Sequence, residues 1–115
     1  MLKTLQDLIK EIGSNIRRLD PATACEELKQ NGGVLIDVRE PQEALNEPVT
    51  HSINIPRGII EIKIPELAPE PETPVYLHCA SGGRACLAAE QLQRLGYKKV
   101  TVIGCTPSDL IKHWS

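Results

Sequence analysis

Pro74-Val75-Tyr76-Leu77-His78-Cys79-Ala80-Ser81-Gly82-Gly83-Arg84 is the stretch on which the reading of this chain turns. Pro74 releases an apolar run of strand length, a cysteine closes it, and two glycines bend the chain. Leu87, Ala88, Gln91, Leu92 and Leu95 then recur at helical spacing until Gly96 stops them. A strand that passes through a tight turn into a helix is the repeating unit of a parallel α/β sheet.

The alternation extends in both directions. Val34-Leu35-Ile36-Asp37-Val38 is another continuous apolar run, as expected of a strand covered on both faces. A helix precedes it, with Asp20 placed to cap, Pro21 suited to the first turn, and Asn31-Gly32-Gly33 as its stop. Residues 39–45 read as a short helix, 52–55 as a brief strand and 59–67 as a further short helix before a proline-rich acidic loop. Val100-Thr101-Val102-Ile103 supplies a strand, Pro107 to Trp114 a closing helix, and Ile16 to Leu19 a short edge strand. At the start, Leu2, Leu5, Leu8, Ile9 and Ile12 mark an amphipathic helix ended by Gly13 and expected to pack on its own domain. The predicted fold class is α/β with a largely parallel sheet.

Composition narrows the functions open to such a domain. The 115 residues suit one hydrophobic core, and with no Phe, two Tyr and one Trp that core must be aliphatic. A net charge of −2 without a basic run argues against nucleic-acid or anionic-membrane partners. Lys3, Asp7, Lys10 and Glu11 interrupt the first helix, which breaks any export-signal core, so a cytoplasmic location is expected. The four cysteines, Cys25, Cys79, Cys86 and Cys105, form no Cys-x-x-Cys pair and no zinc-finger spacing with histidine. No metal and no organic cofactor is expected, and the cysteines read as free thiols.

One of these thiols is placed to react. In a parallel sheet, ligands bind beyond the carboxyl ends of the strands, where Cys79 falls. The Gly82-Gly83 turn into a helix aims amide N–H groups inward, the helix dipole adds partial positive charge, and Arg84 can add a full one. An isolated cysteine ending a strand is ordinarily a small apolar residue. A cysteine followed at once by an anion cradle is an activated nucleophile, suited to sulfur or phosphate chemistry.

Cys79-Ala80-Ser81-Gly82-Gly83-Arg84-Ala85 resembles the active-site loop of bacterial rhodaneses. Val34 to Pro41 with Glu43 resembles that family's first signature, and Ile53-Asn54-Ile55-Pro56-Arg57-Gly58 its second. Tyr97 to Val102 is similar to the strand after its active-site helix, and the resemblance runs from about Asp20 to the C-terminus. It implies a rhodanese-like three-layer fold, with a mostly parallel sheet of four to five strands flanked by helices on both faces. Residues 1–16 then form an N-terminal helix packed on a domain at 17–115.

The resemblance also implies a reaction. Cys79 would take a sulfane sulfur from thiosulfate or a persulfide donor, with the loop from Ala80 through Ser81, Gly82 and Gly83 to Arg84 holding the persulfide. Cyanide, a cellular thiol or a protein acceptor would then remove it. Four residues separate Cys79 from Arg84, as in the family's sulfurtransferases, whereas its related phosphatases have one more. The alternative is a sulfur-carrier or regulatory module that binds without turnover.

The chain departs from the family in two places. Glu47-Pro48-Val49-Thr50-His51-Ser52 stands where the family has Gly-His-Ile-Pro-Gly-Ala. Gly104-Cys105-Thr106-Pro107 replaces a Gly-Gly turn, with Leu110 aligned to the family's Trp. Cys105 is thereby a candidate second thiol, while Cys25 and Cys86 read as packing residues. Asp37 and Arg39 are expected to anchor backbone, and strand alternation turns His78 away from Cys79. Arg57 reads as a surface charge able to steer an anionic donor, and Lys112 and His113 as complements to the last helix's C-terminus.

Overall fold

The computed structural model describes residues 1–104 and 107–114. The helices are α1 (Leu5–Gly13), α2 (Pro21–Asn31), α3 (Pro41–Asn46), α4 (Ile60–Leu67), α5 (Gly83–Leu95) and α6 (Pro107–Trp114). The strands are β1 (Arg17–Leu19), β2 (Val34–Asp37), β3 (Ile53–Asn54), β4 (Val75–His78) and β5 (Val100–Ile103), with a 3-10 turn at Arg57–Ile59. All strand pairs are parallel, in the order β1-β5-β4-β2-β3. The fold is the α/β one expected, with a five-stranded sheet. No helix among the described residues is long and apolar enough to cross a membrane.

Side-chain alternation sorts the core into two layers. Ile36, Leu77 and Val102 face one side, where Ile60 and Ile64 of α4 and Ala85, Ala88 and Leu92 of α5 cover them. Leu35, Tyr76 and Ile103 face the other, against Ala24 and Cys25 of α2 and Leu110 of α6. The continuous apolar runs of β2, β4 and β5 are thus explained by burial on both faces. Leu110 is fully buried there. Asp20 occupies the cap position of α2 but makes no capping hydrogen bond with its side chain, so Pro21 at the first turn sets that start.

The helix α1 is closed by a capping box in which Thr4 Oγ1 accepts from the Asp7 amide at 3.0 Å. It lies on α5, with Ile9 and Ile12 packed against the main core. Strand β3 is shorter than its sequence suggests. The amides of Ile55 and Arg57 still bond to Asp37 and Val38 carbonyls, but Pro56 between them has no N–H to give.

Polar residues organise the carboxyl end of β2. Asp37 and Arg39 are both about 2% exposed, and the Arg39 Nη2 to Asp37 Oδ2 distance is 2.7 Å. Arg39 also donates to the carbonyls of Glu43 at 3.3 Å and Glu47 at 2.8 Å, while Asn54 Nδ2 donates to the carbonyls of Asp37 and Arg39. The expected anchoring role is what the geometry shows. Removing one member leaves a buried unpaired charge, so Asp37→Ala should cost about 3–5 kcal/mol, read from the urea midpoint. An Asp37→Ala protein as stable as wild type would contradict this account.

Candidate functional site

The strand order changes direction between β2 and β4. From β2 the chain moves outward to β3, whereas from β4 it moves the opposite way to β5. Loops that diverge in this manner leave a crevice beyond the carboxyl ends. Cys79 stands there, one residue past β4 and 1% exposed.

The turn after Cys79 wraps around its sulfur. The Gly82 amide donates to Cys79 Sγ at 3.0 Å, and the Ala85 amide donates at 3.4 Å. Gly82 is the N-cap of α5 with φ of 96°, a left-handed conformation that a side chain would strain. That conformation turns its N–H back onto the sulfur at the positive end of the helix. Amides and dipole together stabilise negative charge on the sulfur or on an atom attached to it.

Arg84 is placed differently from the expectation of a free cation at the loop. Its guanidinium makes a two-pronged pair with Glu43, at 2.6 Å and 3.0 Å. This holds the Glu43 carboxyl at about 2, with the Arg84 hydrogen bonds as the largest cause. Glu43 also accepts from the Glu40 amide at the start of α3, so the pair joins α3 to the Cys79 loop. Neither Ala85 as a donor to sulfur nor the pairing of Arg84 was read from the sequence. The first could be sought six residues beyond the cysteine in the helix's first turn, whereas the second depends on a residue 41 positions away.

Of the other sequence candidates, some belong to this loop and others lie apart from it. Ala80, Gly83 and Arg84 are partly exposed, Ser81 is exposed and Gly82 is buried. Cys86 is fully buried in α5, and burial raises its thiol above the ordinary value, so it is a core residue. Cys25 is buried in α2. Arg57 is paired with Glu61 at 3.1 Å. Cys105 and the side chain of His113 lie outside the described residues, and Lys112 is exposed. Among the described residues, no cluster of His, Cys, Asp or Glu could hold a metal.

His78 faces away from Cys79, as alternation requires. Ser52 Oγ and His78 Nε2 are 2.7 Å apart, and Nδ1 has no hydrogen-bond partner among the described residues. In the turn leading to Ser52, His51 takes φ of 68°.

The family model for the rhodanese-like domain matches residues 21–104. The chain belongs to the rhodanese-like domain family. It is 33% identical over 69 residues to the Escherichia coli thiosulfate sulfurtransferase PspE, covering 60% of this chain and 66% of that protein. A Schizosaccharomyces pombe mitochondrial protein provisionally named a thiosulfate sulfurtransferase is 37% identical over 78 residues, 58% of this chain and 55% of its own. A Bacillus subtilis protein provisionally named a sulfur carrier is 35% identical over 66 residues, covering 57% of this chain and 35% of its own. The matched regions therefore span between about a third and two thirds of these relatives. A Rhodopseudomonas palustris structure, described as of unknown function and a possible tyrosine phosphatase, superposes with a TM-score of 0.80. It is 26% identical, and the match covers 97% of this chain and 92% of that one. The rhodanese-like domain thus has sulfurtransferases among its relatives, and small sulfur donors as their substrates.

Burial holds His78 neutral well below neutral pH, with its pKa lowered from 6.5 to about 4. The unfolded chain therefore binds the proton first as pH falls, and stability is full above pH 6.5 and lost on the way to pH 4. From this residue alone the loss at pH 5 should be about 2 kcal/mol. Urea midpoints at pH 7 and pH 5 should show it, with a smaller difference in His78→Asn. An equal difference in the variant would remove His78 as the cause.

Proposed function

We propose that this domain is a sulfurtransferase that carries a sulfane sulfur as a persulfide on Cys79. The observation that carries the reading is the donation of two amides, from Gly82 and Ala85, to Cys79 Sγ in the crevice where strand order reverses. The relatives supply the chemistry. Cys79 thiolate attacks the outer sulfur of thiosulfate, the sulfur–sulfur bond breaks, and sulfite leaves with the electron pair. The terminal sulfur of the persulfide is then attacked by cyanide or a thiolate, and Cys79 leaves as thiolate stabilised by the same amides. Residues Ala80 to Arg84 shape the pocket for that terminal sulfur. These steps call for no metal or organic cofactor, and a reducing cytosol would keep Cys79 available between cycles.

Phosphoryl transfer is the weaker reading despite the phosphatase description of the Rhodopseudomonas palustris relative. A phosphoryl group is best held by an arginine fork. Here the Arg84 fork is filled by Glu43. A second reading has its own support: the Bacillus subtilis relative is named for sulfur carriage, and Cys79 is only 1% exposed. In that case the persulfide forms but passes slowly to small acceptors.

Intact-mass measurement after thiosulfate treatment should show a gain of one sulfur atom, localised to Cys79 and lost in Cys79→Ser. Cyanide should remove it with multiple turnover. Loading without turnover would select the carrier reading, and sulfur found only on another cysteine would refute Cys79 as the carrier.

A further inference from the structure

The pairing of Arg84 leaves a gap in the chemistry just proposed. An anionic donor such as thiosulfate brings two negative charges to a buried sulfur, and Arg84 is already neutralised by Glu43. A second guanidinium reaches the same loop from outside the motif. Arg18 lies on the edge strand β1, and its Nη1 is 3.5 Å from the position a Gly82 side chain would occupy. It is also 3.7 Å from the corresponding position of Gly104. Gly82 and Gly104 follow β4 and β5 respectively, so the guanidinium sits near both glycines at the carboxyl edge of the sheet. The amide of Gly82 is the closer of the two donors to Cys79 Sγ.

Strand alternation accounts for this placement. Arg17 points to the opposite face, where it pairs with Glu27, and Arg18 therefore points toward α5. Its charge and a hydrogen bond from its side chain both act on Cys86, one turn into that helix, against the upward push that burial gives the Cys86 thiol. Among the described residues, Arg18 is in no ion pair, and it is exposed. Among the described residues its charge thus has no acidic partner, where Arg84's has Glu43. A guanidinium presents parallel N–H groups that match a sulfonate or carboxylate edge.

We propose that Arg18 receives the anionic end of the sulfur donor at Cys79 and makes the site selective for anionic over neutral reagents. The donor identity rests on the sulfurtransferase reading, but the charge selection at Cys79 does not. Two measurements keep them apart. The first is alkylation of Cys79, located by mass spectrometry, with iodoacetate and with neutral iodoacetamide. The ratio of the two rates should fall several-fold in Arg18→Gln, fall further in Arg18→Glu and recover in Arg18→Lys, since an exposed charge acts mainly through its field. The second is steady-state turnover, in which KM for thiosulfate should rise about tenfold in Arg18→Gln with kcat little changed. A merely structural role would move both alkylation rates together and would not be rescued by lysine.

An unchanged alkylation ratio in Arg18→Glu would overturn the proposal. A ratio that falls while wild-type protein forms no persulfide would refute the sulfurtransferase reading and leave Arg18 as an anion-binding group. Equal thiosulfate KM in wild type and Arg18→Gln, with turnover present, would overturn its role toward the donor.

Discussion

The buried Asp37–Arg39 pair is the interaction on which the active end of this sheet depends. Charges at about 2% exposure are tolerable only when every bonding position is answered. Arg39 is answered by the Asp37 carboxylate and by the carbonyls of Glu43 and Glu47. Those carbonyls belong to α3 and to the residue that ends it, so satisfying the guanidinium fixes where the helix lies. Once α3 is fixed, Glu43 meets Arg84 on the Cys79 loop. A charge pair beside β2 is thereby connected, through one short helix, to the turn that wraps the Cys79 sulfur.

The Cys79 loop in turn divides its electrostatic work between backbone and side chains. Stabilisation of sulfur comes from amides, which are fixed in place by Gly82 and the first turn of α5 and need no proton of their own. Arg84 is used to tie the loop down. This division suits sulfur transfer. The charge on the nucleophile stays on one polarisable atom, while a phosphoryl group would spread its charge over several oxygens and call for the arginine fork. Helix α1 adds a wall on the same side, with Ile9 Cδ1 3.4 Å from where a Gly83 side chain would begin.

Legibility in the sequence followed burial and sequence distance. Strands β2, β4 and β5 were readable because two covered faces leave an unbroken apolar run, and the strand–glycine–helix unit placed Cys79 at a carboxyl end. Strand β3 was readable only as a brief run, because Pro56 interrupts its hydrogen bonding. Asp20 stands at the cap position of α2 without a capping hydrogen bond from its side chain, although its backbone there matches that of Thr4, which does cap α1. The partner of Arg84 was not readable at all. Any of several acidic residues could have served, and the choice of Glu43 is made by α3, whose position depends on Arg39.

The adjacent arginines of β1 show why composition hides such roles. They differ by one position in a three-residue strand, yet the pleat sends them to opposite faces with unlike surroundings. Arg17 joins a polar cluster with Glu27 and Thr101, to which Tyr76 and Asn31 are linked. There its charge is matched, and its contribution is to structure. Arg18 faces the helix that follows the Cys79 turn and, among the described residues, lies near Gly82 and Gly104 rather than a carboxylate. Pairing β1 with β5 in parallel, with Arg18 opposite Val102, is what carries that guanidinium to the carboxyl end of the sheet. An edge strand outside the loop motif therefore supplies the charge that the motif's own arginine has committed to Glu43.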